Sequence, residues 1–154
     1  MREIKFRGKR YGDGAWVYGS LYQGIKEGEK YSIILNDSGY HLAPSDDRSL
    51  AIAFAENEVN VVITDTVGQF TGLHDKNGKE IYEGDIVKWI LTMPEFGVNG
   101  GYEEYDTEEI GEITWDAGAL YLGEYCASGF AYESEDYAEI IGNIHDNPEL
   151  LKTE

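Results

Sequence analysis

At 154 residues, with 42% hydrophobic and 13% aromatic content, the chain suits one domain or two small subdomains and is too apolar to be wholly disordered. Thirty acidic against twelve basic residues give a net charge of -18, which opposes direct binding to nucleic acid or to an anionic membrane. A single cysteine, Cys126, excludes an internal disulfide and a cysteine-rich zinc site, and no apolar run approaches the roughly 20 residues that span a bilayer.

The charge is unevenly spread. Five of the twelve basic residues fall in the first ten positions, whereas residues 89 to 151 contain none. In chain order, Ile4 and Phe6 alternate with charged neighbours as in a half-buried strand, and a turn at 11–14 leads into a second strand at 15–22. Residues 26–30 form a turn, 31–35 a third strand, and the turn formers at 36–39 end it. For residues 48–56 two readings compete: Ser45 or Asp46 caps a short helix, or the apolar run 50–55 is a buried strand, which is favoured. A strand follows at 59–63.

Residues 67–89 interleave strand patterns and turn residues most tightly. Asn77-Gly78 suits a two-residue type I′ turn, and Glu83-Gly84-Asp85 a second reversal before the strand 86–91. Pro94 and Gly100-Gly101 argue against regular structure across Thr92 to Glu109, predicting a long acidic loop. Clean alternation at 112–115, a turn at 116–118 and a strand at 119–125 make a second hairpin. Ala138, Ile140, Gly142 and Ile144 read as one face of a last strand, and Asn147-Pro148 starts a capped helical turn.

The segment Thr66-Val67-Gly68-Gln69-Phe70-Thr71-Gly72-Leu73, followed by Asp75-Lys76-Asn77-Gly78 and Ile81-Tyr82-Glu83-Gly84-Asp85-Ile86-Val87, resembles the pattern that marks the YopX family of phage and prophage proteins. The opening 2–10 with Trp16-Val17-Tyr18-Gly19, and the closing 140–151, support the same resemblance. His74 departs from the lysine expected there, and the stretch after Leu91 looks like a variable insertion. The resemblance implies a small, mostly β, phage-derived protein with no catalytic residues to carry over.

The expectation is therefore a mainly β chain with little helix. An antiparallel sheet occupies 1–66, and 67–154 holds a small SH3-like barrel, inferred across 79–145, with the acidic loop 92–109. His74-Asp75 and His145-Asp146 read as turn residues, because sequence neighbours on a strand point to opposite faces. There is no phosphate-binding glycine loop, nucleophile elbow or zinc-protease helix. No catalytic residue, metal or cofactor is assigned.

The candidate binding set is Trp89, Tyr102, Glu103, Glu104, Tyr105, Asp106, Glu108, Glu109, Trp115 and Tyr121, an acidic and aromatic surface suited to a basic protein partner in the bacterial host cytoplasm. Alternatives are a DNA mimic that occupies a DNA-binding protein, a metal-dependent hydrolase using the clustered carboxylates, and a homo-oligomer formed through the N-terminal strands.

Overall fold

The computed structural model describes residues 3–36, 41–42, 52–53, 59–96, 102–116, 119–123, 125–126 and 137–152. The fold is mainly β and antiparallel, in two compact units, Met1–Phe70 and Thr71–Glu154. The proposed cap at 45–46 and the loop 129–136 lie outside the described residues; of the run 48–56, Ile52–Ala53 is extended, as the strand reading expects.

In the first unit, β1 (Phe6–Lys9) pairs with β2 (Trp16–Lys26), which pairs with β3 (Glu29–Leu35). The short β4 (His41–Leu42) and β5 (Ile52–Ala53) pair with each other, and β6 (Val59–Val62) lies against β3. The outer side of β6 also bonds back to the end of β1: Ile63 N–H donates to the Lys9 carbonyl at 2.9 Å and Tyr11 N–H to that of Val61 at 2.8 Å. A 3-10 turn at Thr64–Thr66 follows, in which Thr66 Oγ1 accepts from the Lys9 amide at 2.8 Å. Burying Ile34, Val62 and Phe70, each 4% exposed or less, supplies the apolar driving force.

The tightest reversal here is Glu27-Gly28, where Lys26 pairs with Glu29 and both turn residues are left-handed, at φ 55° and 87°. Right-handed strand twist favours such a turn, which glycine accepts and glutamate resists.

β7 (Gly68–His74) begins alongside β1 and ends in the second unit, where it neighbours β8 (Glu80–Tyr82). The connection between them differs from the expected type I′ turn, since Asn77 is not left-handed; Gly78 alone is, at φ 76°. The cause is the Asp75 side chain. Its Oδ1 accepts the amides of Asn77 (2.8 Å) and Lys79 (2.9 Å), while Gly78 N–H donates to the Asp75 carbonyl at 2.8 Å. The result is an Asp-nucleated, three-residue loop with glycine at its left-handed position.

The remaining strands form a five-stranded sheet in the order β12-β11-β10-β9-β13. These are β9 (Asp85–Phe96), β10 (Tyr102–Asp116), β11 (Ala119–Leu122), β12 (Tyr125–Cys126) and β13 (Ala138–Asn143). Among the described residues no ladder joins β12 to β13, so the sheet is open there rather than a closed barrel. Ile81, Val87, Trp89, Ile113, Leu122 and Ala138 form its core. A bulge between Ile140 and Gly142 corrects the expected face of the last strand: Ile140 stands opposite Val87, but Gly142 stands opposite Ile86. A 3-10 turn at Pro148–Leu151, with proline at its start, ends the described chain.

Candidate functional site

The expected long loop is not a loop. β9 and β10 pair without interruption from Glu112 opposite Ile86 to Tyr102 opposite Phe96. Among the described residues β13 accompanies β9 only as far as Trp89, and residues 90–96 and 102–108 there form a two-stranded ribbon. That open side explains how Pro94, which lacks an N–H, fits within a strand.

Alternation along β10 then decides what each residue can do. Glu104, Asp106 and Glu108 are exposed and share one face with Ile110, itself 49% exposed. Gly111 and Ile113 lie on the other face and are buried. Directly opposed residues share a face, so Tyr121, opposite Thr114, belongs with the exposed carboxylates, while Trp89, Glu109 and Trp115 lie on the core side. The candidate set is therefore split in two. Trp89, at 4% exposed, belongs to the core and cannot meet a partner, whereas Trp115 near the end of β10 is 45% exposed. Tyr102, Glu103 and Tyr105 lie on the ribbon backbone, their side chains outside the described residues.

The carboxylate face carries cations that sequence reading did not place there. Lys88 Nζ lies 3.0 Å from Glu108 Oε1, and Lys76 Nζ lies 2.6 Å from Glu139 Oε2. Glu139 stands opposite Lys88 in the ladder, so Lys76, Glu139, Lys88 and Glu108 form a row of alternating charge. The Lys76 bond, with a smaller contribution from Lys88, holds the Glu139 carboxyl below its ordinary value. Glu112, closer to the core on the same face, is pushed up by burial.

Asp75, 2% exposed, is held from several sides. Its Oδ2 also accepts the Ile140 amide at 3.2 Å, and Lys76 N–H donates to the Ala138 carbonyl at 2.9 Å, so the turn is tied to β13. Burial pushes this carboxyl up, but the amides of Lys79, Ile140 and Asn77 outweigh that and hold it below its ordinary value. The Asp-x-Asn-Gly spacing signals such a turn; the reach to residue 140 has no sequence signal. Asp85, 1% exposed, likewise accepts the Tyr82 amide at 2.8 Å. Among the described residues no group of three or more His, Cys, Asp or Glu is placed to hold a metal, and no helix is long and apolar enough to cross a membrane. Glu104, Asp106 and Glu108 run in a line rather than converging on a point.

Comparison with known proteins bears on this geometry only at the level of family and fold. Among solved structures, protein EF1440 from Enterococcus faecalis matches at 23% identity with a TM-score of 0.52, over 99% of this chain and 100% of that one. No curated protein matches the chain. The family model described as YopX protein matches residues 5–152, and with nearly the whole length covered, the chain belongs to the YopX family.

Proposed function

We propose that this chain is a phage-derived, non-enzymatic binding module that engages a basic protein partner in the host cytoplasm through the outward face of the β9–β10 ribbon. The observation that carries this reading is the row Glu104, Asp106 and Glu108, all exposed on one strand face, with Glu108 shared with Lys88 and the exposed Ile110 at its end. Such a row attracts a cationic surface at long range, and the apolar neighbour adds desolvated contact once it docks. Carboxylates on an open ribbon also keep other strands from pairing with its edge, which is the competing structural role. An SH3-like curl of the five-stranded sheet remains part of this reading, supported by the bulge in β13 that bends one edge.

A second reading, DNA mimicry, is favoured by the regularity of the row. Alternate residues of a strand repeat about every 6.8 Å, which spaces the three carboxylates evenly, although Lys88 balances Glu108. Both readings are tested by binding an arginine-rich peptide and a panel of host DNA-binding proteins to the wild type and to the triple variant Glu104→Gln, Asp106→Asn, Glu108→Gln. The expected result is binding that weakens as salt rises and falls at least about tenfold in the variant. Equal binding by both proteins overturns the role of this face. Competition by duplex DNA for the same partner selects mimicry.

A further inference from the structure

The first unit presents a patch of a different kind. Tyr22, Ile33 and Val61 stand directly opposite one another across β2, β3 and β6, which puts all three side chains on one sheet face. Tyr22 is 54% exposed and Val61 50%, and Ile63, two residues beyond Val61, is 43% exposed. The Tyr31 ring extends the patch. It lies across Gly24, where an added Cβ would fall 2.6 Å from its Cζ, and its centroid is 6.1 Å from that of Tyr22. Isolated exposed apolar residues are ordinary, but contiguous ones on adjacent strands mark a contact surface.

We infer that this face is where a second copy of the chain docks, patch against patch about a twofold axis. Charge selects the occupant. The patch residues are uncharged, and the unit that bears them has eight basic against ten acidic residues, so two such faces meet with little self-repulsion in a chain of net charge -18. An isologous contact also closes on itself and needs no second complementary surface. The contact is made through the face rather than the edge of β6, because the Ile63 amide and the Val61 carbonyl on that edge already bond to Lys9 and Tyr11. This inference does not rest on the ribbon reading.

Sedimentation velocity of the full chain at about 1 and about 100 μM brackets an affinity of micromolar order. A concentration-dependent monomer–dimer shift is expected, retained or strengthened between about 0.05 and about 0.5 M salt, because salt screens charge repulsion and leaves apolar contact intact. Tyr22→Glu and Val61→Lys, both at half-exposed side chains, are each expected to weaken it at least about tenfold with the circular dichroism unchanged, while the triple carboxylate variant leaves it intact. Hydrogen exchange on the wild type provides a check free of substitutions, with slower exchange in β3 and β6 at the higher concentration. A monomer at both concentrations, a dimer indifferent to both patch variants, a dimer lost in the carboxylate variant, or unchanged exchange in β3 and β6 overturns the inference.

Discussion

The two units are both antiparallel β-sheet, yet they satisfy their polar groups and cover their surfaces differently. Residues 1–70 carry a net charge of -2 and residues 71–154 a net charge of -16, from four basic against twenty acidic residues. Inside the first unit the buried polar side chains include neutral ones: Ser32 donates to Thr64 Oγ1 at 3.2 Å, and Asn60 to the Ile34 carbonyl at 3.4 Å. The second unit instead buries two carboxylates, Asp75 and Asp85, against backbone amides. A buried neutral bond does not titrate and a buried carboxylate does; a bonded carboxylate of the first unit, Asp13 beside Arg10, is instead exposed. Among the described residues the contrast places the buried carboxylates in the second unit and the exposed apolar patch of Tyr22, Val61 and Ile63 in the first.

The sharpest test removes apolar contacts from one unit at a time. Ile34→Ala and Ile113→Ala each delete a fully buried side chain and are expected to cost about 2–5 kcal/mol. Urea unfolding followed by hydrogen exchange in each unit shows whether the loss is confined to the unit that was changed. Equal loss of protection in both units after either substitution would abolish the distinction.

Asp75→Ala ranks next, at about 2–3 kcal/mol, because it strands the amides of Asn77, Lys79 and Ile140. The same group sets an acid limb. Its folded-state value lies below the ordinary 3.8, so its contribution is complete above that pH and disappears as pH falls through the lowered value. Wild-type stability measured from pH 6 down to about pH 2 should therefore decline in the second unit, with Asp75→Asn showing a flatter profile. A parallel decline in Asp75→Asn would assign the acid limb to other groups.

The smallest expected effect lies in the first unit. Glu27 occupies a left-handed position that disfavours a side chain with a Cβ, and asparagine tolerates it better. Glu27→Asn should stabilise by roughly 0.5–1 kcal/mol in the same urea assay, and a destabilised variant would show that the Glu27 side chain contributes to the hairpin.

Much of this architecture is legible in the sequence, because alternation and turn residues act locally. The strands at 15–22, 31–35 and 59–63 and the reversal at 83–85 follow from pattern alone. The ribbon was hidden by its own chemistry. Pro94 and the charge density between Glu103 and Glu109 are loop signals, and a pairing of β9 with β10 that is open-sided among the described residues reconciles them with strand structure. Residue preference locates the turn at Asn77-Gly78 but not its type, which the Asp75 side chain sets. The pattern leaves Trp89 open to a core or a groove position, because its burial depends on Ala138, a partner 49 positions away in the chain.

The bond from the Ile140 amide to Asp75 spans 65 residues. On a ribosome, the Asp75 turn must wait for residue 140 to emerge before its carboxylate is fully coordinated. The strand at 138–143 thus acts as a completion check: a translation product ending before residue 138 lacks the amide that seals the buried Asp75 anion.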